Sequence, residues 1–85
     1  MITVRYFASL REKLGAQEQV LLSDLPSGCT VGGLRDWLCA RSEVHAQAFE
    51  SVRAVRAACD QVMCDDDEPL RDGVDVAFFP PVTGG

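Results

Sequence analysis

Long apolar runs are missing from this chain: no hydrophobic stretch approaches the roughly 20 residues needed to cross a bilayer. A charged leader with an apolar core is missing too, because the opening "MITVRYF" alternates instead. Positive charge is scarce, with 8 Lys and Arg against 13 Asp and Glu and a net charge of −5. Such a chain repels phosphate, which speaks against nucleic acid or an anionic membrane as partner. There is one histidine, His45, and no C-x-x-C pair among four cysteines. The nearest pair, Cys59 and Cys64, would have to recruit His45 from far along the chain to hold a metal. The cysteines are expected to be free and to pack as small hydrophobes, with no metal bound. Repeats, linkers and low-complexity segments are absent as well. These absences together point to a soluble, cytoplasmic protein.

What remains is one domain of 85 residues, 47% apolar, which is enough for a core but leaves a thin margin of stability. "ITVRYFA" alternates as a strand, with Ile2, Val4 and Tyr6 on one face and Thr3, Arg5 and Phe7 on the other. "SLREKLG" predicts a short helix, capped by Ser9 with Glu12 at capping-box spacing and stopped at Gly15. "EQVLLS" predicts a second strand, and "DLPSG" is turn chemistry. "TVGGLRDWLCARS" is the clearest helix: Thr30 caps it, Val31, Leu34 and Leu38 form a stripe, and Trp37 lies beside it. Gly32 and Gly33 in its first turn suggest close packing on a sheet. A second helical stretch is expected over residues 44–52. "AVRAACD" and "VMC" follow as short strands around a turn at Asp60 and Gln61. The acidic "DDDE" at 65–68 reads as a solvated turn or as steering toward a basic partner. "VDVAFF" is the last strand. This order predicts an α+β roll, a sheet of about five strands packed on one main helix.

The last strand carries an anomaly. Val74, Val76 and Phe78 share the face that belongs in the core, which puts Phe79 with Asp75 and Ala77 on the side proteins usually leave in water. Phe7 does the same on the first strand, and Met63 lies between Val62 and Cys64, which should point inward. If these strands are neighbours, Phe7, Met63 and Phe79 make one apolar patch of residue types enriched where proteins dock. A covering loop or helix is the alternative.

After Phe79 the chain changes character. Pro80 and Pro81 lack N–H donors and favour extended geometry, so pairing must stop there. Residues 80–85 could then reach about 20 Å from the body at roughly 3.1–3.4 Å per residue. The domain is accordingly read as residues 1–79 with a tail at 80–85. Val82 and Thr83 offer grip, and Gly84 and Gly85 offer bare backbone that passes a channel too narrow for a Cβ. A frayed tail explains the glycines but not the apolar ramp "AFFPPV" leading to them.

"VAFFPPVTGG", "YFASLREKLG", "TVGGLRDWL" and "PLRDGVDVAFFPPVTGG" resemble, in their order and over the whole chain, the small subunits of molybdopterin synthase. These are the MoaD family of ubiquitin-like sulfur carriers. Val74 after Gly73, and Cys59-Asp60-Gln61, depart from the family's usual residues without touching the tail. The resemblance implies a β-grasp (ubiquitin-like) fold with the first and last strands side by side. It implies that Gly85, next to Gly84, is adenylated by an ATP-dependent, ubiquitin-activating-like enzyme and converted to a thiocarboxylate. The tail would enter the large synthase subunit, in a heterotetramer of two small and two large subunits, and pass its sulfur to cyclic pyranopterin monophosphate. It places Phe7, Met63, Phe79, Pro80, Pro81, Val82 and Thr83 at partner contacts, with Arg11 at the rim. No cofactor is expected on this chain itself, and ATP serves the activating enzyme. Carriers for thiamine synthesis, tRNA thiolation or cysteine synthesis, a lysine-linked modifier and an inert-tailed binding module are the rival readings.

Overall fold

The computed structural model describes residues 1–81. Its elements run β1 (Ile2–Tyr6), α1 (Ala8–Leu14), β2 (Gln17–Val20), α2 (Val31–Arg41), α3 (Glu43–Glu50), β3 (Arg56–Cys59), β4 (Val62–Cys64) and β5 (Asp75–Phe79). The strands form one mixed sheet in the order β2-β1-β5-β3-β4, in which β1 and β5 are parallel and the other pairings antiparallel. This is the β-grasp arrangement, with the first and last strands adjacent at its middle.

Alternation decides what each face does. Ile2, Val4, Tyr6, Val76 and Phe78 are buried together under Val31, Leu34 and Leu38 of α2. One helix does not finish the cover. The shorter α3 adds Ala48 and Phe49, and the Phe49 ring meets Phe78 edge-on at 5.3 Å and 88°. Tyr6 lies 6.4 Å from Phe78 at an interplanar angle of 21° and 6.3 Å from Phe49, so the three rings form one cluster. Such aromatic pairs add stabilisation beyond the area they bury.

Tyr6 carries a polar group into this layer, and Glu18 on β2 meets it. The Tyr6 hydroxyl donates to the Glu18 carboxylate at 2.7 Å, His45 Nε2 lies 2.6 Å from it, and Arg41 donates to it at 2.8 Å. Burial opposes ionisation of Glu18, but the bonds from Tyr6, His45 and Arg41 outweigh it and hold the carboxyl below its ordinary range. Burial first, and then the neighbouring carboxylate, push the Tyr6 hydroxyl upward, so it stays a donor. His45 is thus engaged far from Cys59 and Cys64.

Local capping rules misplace one helix start. α1 begins after Phe7, not Ser9, and no side chain caps it. The Phe7 N–H donates to the Phe78 carbonyl, and the Phe7 carbonyl accepts from Leu10 and Arg11. The end of β1 therefore turns directly into the helix, and Ser9 lies inside it. Gly15, at φ +91°, stops α1 as expected. β2 is also shorter than the apolar run implied: it ends at Val20, and Leu22–Asp24 close a single 3₁₀ turn.

Thr30 caps α2 by accepting from the Gly33 N–H at 3.1 Å. The two glycines behind it face a loop and a cysteine rather than the sheet. A Cβ on Gly32 would lie 2.9 Å from Asp66 Cβ and 3.1 Å from the Asp66 carbonyl, which accepts the Gly32 N–H at 2.8 Å. A Cβ on Gly33 would meet only movable side-chain atoms, the Cys29 sulfur at 2.8 Å and the Thr30 hydroxyl. Gly32→Ala should therefore lower stability by about 1–2 kcal/mol, because overpacking outweighs the gain in helix propensity. Gly33→Ala, for which Cys29 can rotate away, should stay within about 1 kcal/mol of the parent. Thermal unfolding of the two variants checks this, and equal losses would refute the loop contact.

The β3–β4 hairpin turns on Asp60 and Gln61, both at positive φ (49° and 70°), the signature of a type I′ turn. Aspartate is held there from outside. Its carboxylate accepts from Arg71 at 2.5 Å and from the Asp75 N–H at 3.1 Å. The hairpin is thereby tied to the start of β5.

Candidate functional site

The helices cover one face of the sheet and leave the other open. In register, Thr3 stands by Asp75, Arg5 by Ala77, Ala77 by Ala58 and Ala58 by Met63. Phe79 stands opposite Arg56. The bond from the Phe7 N–H to the Phe78 carbonyl extends β1 by one residue and sets Phe7 next to Phe79. Phe7 and Phe79 are thus neighbours at the end of the sheet from which the chain leaves. Met63 belongs to the same face, two strands away, and the small residues Ala77 and Ala58 bridge the gap. The three residues singled out in the sequence share one apolar lane.

Their exposures differ. Phe7 is 45% and Met63 52% exposed, whereas Phe79 is half-buried. Val62 corrects an expectation: it was to point inward and is 68% exposed, because β4 is an edge strand of three residues that α2 and α3 do not reach. α3 was one candidate to cover the lane, and it packs on the opposite face through Phe49. Polar groups border the lane. Arg5 donates to Asp75 at 2.6 Å and to Gln17 at 2.7 Å. Arg11 lies exposed on α1, one turn past Phe7, and has no ion-pair partner among the described residues.

Pro80 and Pro81 follow β5 without regular structure and are half-buried. Pairing stops at Phe79, as two residues without N–H donors require. Val82, Thr83, Gly84 and Gly85 lie outside the described residues.

The remaining sequence candidates have structural partners. Asp66 in the acidic turn receives two bonds from Arg35 at 2.9 Å, so that turn is bound to α2 rather than simply solvated. Arg35, through this bond, holds the Asp66 carboxyl below its usual range. Cys59 and Cys64 bring their sulfurs within 3.5 Å across the hairpin, a proximity their spacing alone did not reveal. Burial, followed by the bond from Cys64, pushes the Cys59 thiol up to about 12. A thiol held protonated is a poor nucleophile and a poor ligand. Among the described residues no three His, Cys, Asp or Glu side chains gather as a metal site, and no helix is long and apolar enough to cross a membrane.

Among the described residues, the open face carries an apolar lane that ends at the last paired residue, with no acid–base constellation beside it. The chain is 44% identical, over its full length and that of the relative, to the molybdopterin synthase sulfur carrier subunit of Escherichia coli (strain K12). It superposes with a TM-score of 0.69 and 31% identity on a putative molybdopterin converting factor, subunit 1, from Pyrococcus furiosus, covering 95% of this chain and 97% of that one. A Helicobacter pylori 26695 structure, described as a complex of subunits 1 and 2 of molybdopterin-converting factor, matches at a TM-score of 0.63 over 99% and 97% of the two chains. At 24% identity that last likeness bears on the fold alone. The model of the ThiS family matches residues 4–85, and the chain belongs to that family.

Proposed function

We propose that this chain is the sulfur carrier subunit of a molybdopterin synthase. The observation that carries the reading is the placement of Phe79: an aromatic on the open face of the sheet, beside Phe7, at the last paired residue before the tail. The full-length identity to the E. coli carrier supports it. The lane through Phe7, Phe79 and Met63 docks the large synthase subunit, with Arg11 at its edge. Pro80 and Pro81 then direct the tail into that subunit's active site, where Val82 and Thr83 are gripped.

The chemistry belongs to Gly85. Its carboxylate attacks the α-phosphorus of ATP on a ubiquitin-activating-like adenylyltransferase and releases pyrophosphate. The resulting mixed anhydride is electrophilic at carbon. Hydrosulfide delivered by the sulfur donor attacks that carbon, the bond to the AMP oxygen breaks, AMP leaves, and a thiocarboxylate remains. Gly84 and Gly85 leave this carbon sterically open. In the synthase the thiocarboxylate sulfur displaces an oxygen substituent from a carbon of cyclic pyranopterin monophosphate, and water then cleaves the resulting thioester, which leaves the sulfur on the pterin and returns Gly85 to its carboxylate, while the large subunit supplies acid–base groups. The assembly is a heterotetramer of two small and two large subunits, and the chain itself binds neither ATP nor a metal.

Incubation with the activating enzyme, ATP and a sulfur donor, followed by intact mass measurement, tests this reading. The expected result is a mass gain of one oxygen-to-sulfur exchange at the C-terminus. An unchanged mass under conditions that convert the E. coli carrier would overturn the proposal. Covalent adducts on the lysines of other proteins would identify a modifier instead.

A further inference from the structure

All four cysteines are free, and two of them lie in contact. Cys59 closes β3 and Cys64 closes β4, on either side of the turn at Asp60 and Gln61. The register sets Val62 opposite Cys59 and Ala57 opposite Cys64, so the two cysteines form a diagonal pair on one face of the hairpin. The Cys64 thiol donates to the Cys59 sulfur at 3.5 Å. Cys59 is 8% exposed and belongs to the core, whereas Cys64 is half-buried at its border. The delivery chemistry of the tail uses neither thiol.

Both cysteines line a cleft of about 250 Å³, together with Asp60, Val62, Met63, Glu68 and Arg71. A molecule the size of water or peroxide fits such a space. A disulfide needs its sulfurs about 2.05 Å apart, so closure requires an approach of only about 1.5 Å. The two strands are not equally free to move. Cys59 is held in the sheet between Val62 on β4 and Val76 on β5. β4 has three residues and pairs only with β3, so its outer edge is unrestrained. Because the pair is diagonal, closure draws Cys64 along β3 as well as toward it. Met63 precedes Cys64 and stands opposite Ala58, at the far end of the apolar lane. Movement at Cys64 therefore shifts Met63 within the docking face.

We infer that Cys59 and Cys64 are a redox modification site: peroxide joins them in a reversible disulfide, and the bridged hairpin displaces Met63 and weakens docking. The effect on docking rests on the reading above; the bridge itself does not. Cys64, the more open sulfur, attacks one oxygen of hydrogen peroxide. The O–O bond breaks, the thiol proton leaves with the departing oxygen as water, and a sulfenic acid remains. Cys59 then attacks the Cys64 sulfur, the S–O bond breaks, and the released hydroxide takes the Cys59 proton as a second water. Two thiols are oxidised to one disulfide, and one peroxide is reduced to two waters. Burial keeps the Cys59 thiol protonated, so it is inert toward peroxide on its own. Contact with Cys64 supplies the proximity that a weak nucleophile needs. A thiol reductant reverses the bridge by exchange at the more open sulfur.

Peptide mapping of the full chain tests the bridge. The folded protein is treated with hydrogen peroxide, the peroxide is removed, and the remaining thiols are alkylated after unfolding. Cleavage after Arg56 and Arg71 releases residues 57–71, which contain Cys59 and Cys64 and no other cysteine. That peptide should escape alkylation and lose the mass of two hydrogens, and dithiothreitol should restore both alkylation sites. Cys64→Ser and Cys59→Ala should each abolish the bridge. A sulfinic acid at Cys64, or a bridge through Cys29 or Cys39, overturns the inference. Equilibrium binding to the large synthase subunit tests the consequence. The bridged chain should bind about three- to tenfold more weakly than the reduced chain, and dithiothreitol should restore its affinity. Peroxide should leave the affinity of Cys64→Ser unchanged. Equal weakening of that variant would trace the effect to the Met63 sulfur, and an unchanged affinity of the bridged parent would cut the link to docking; either overturns the switch. Failure of sulfur exchange in the untreated parent refutes the reading beneath, whereas the peptide masses score the bridge independently of it.

Discussion

Phe78→Ala is expected to remove about 3–5 kcal/mol of stability, the usual cost of deleting a fully buried phenylalanine. Phe78 is completely buried, packs in one ring cluster with Tyr6 and Phe49, and so joins the sheet to α3. The ring cannot be replaced by collapse, because β5 is paired on both edges and holds the backbone in place. Domains of this size have a total stability of roughly 5–15 kcal/mol, so the loss takes a large part of it. The melting temperature should fall by about 15–30 °C, or the cooperative transition should vanish. Phe79→Ala, one residue along, should cost at most about 1–2 kcal/mol, because its half-buried ring faces away from the core. Its effect should fall on association with the large subunit. This contrast tests the register itself, since a slip of one residue would exchange the two faces. A destabilised Phe79→Ala beside a stable Phe78→Ala would overturn the assignment of both faces.

That assignment was legible in the sequence because it depends only on alternation. Val76 and Phe78 against Ala77 and Phe79 is a period-two pattern, and any strand through those residues must separate them. The same holds for Tyr6 against Phe7. The helix over residues 31–41 was legible because its cap and its stripe are local as well. The failures occurred where a distant residue decides. Ser9 and Glu12 have capping-box spacing, but the Phe78 carbonyl captures the Phe7 N–H and starts the helix two residues earlier than that box implied. Gly32 is small because the Asp66 backbone lies against it, and no neighbour in sequence announces that. Val62 alternates as an inward residue should, yet alternation does not tell how far the helices reach over an edge strand. Eight cations in a list look alike until the fold pairs four of them.

Removal of Gly85 should abolish sulfur exchange altogether while leaving the fold and docking intact. In the proposed reading, the terminal carboxylate must reach a nucleotide held by the activating enzyme while the folded body rests outside its active site. Shortening the tail by one residue moves the carboxylate back by about 3.3–3.6 Å. A displacement of only ~1 Å from the reactive arrangement can cost about 100-fold in rate, so the shortened chain should lie below detection by intact mass. The new end would again be a glycine, Gly84, with the same unhindered carbon. Chemical identity at the terminus is therefore preserved, and reach alone is altered. Gly85→Ala makes the complementary change: it keeps the reach and adds a Cβ beside the reacting carbon. Partial exchange by Gly85→Ala with none by the deletion would indicate that the distance from Phe79 to the carboxylate is the stricter requirement. Equal loss in both would indicate a channel that admits no side chain at its end. Full exchange by the deletion would show that Gly85 is not the reactive residue and would overturn the delivery role given to the tail. Melting and association measurements on the shortened chain should match those of the parent, since residues 1–79 contain the core and the lane.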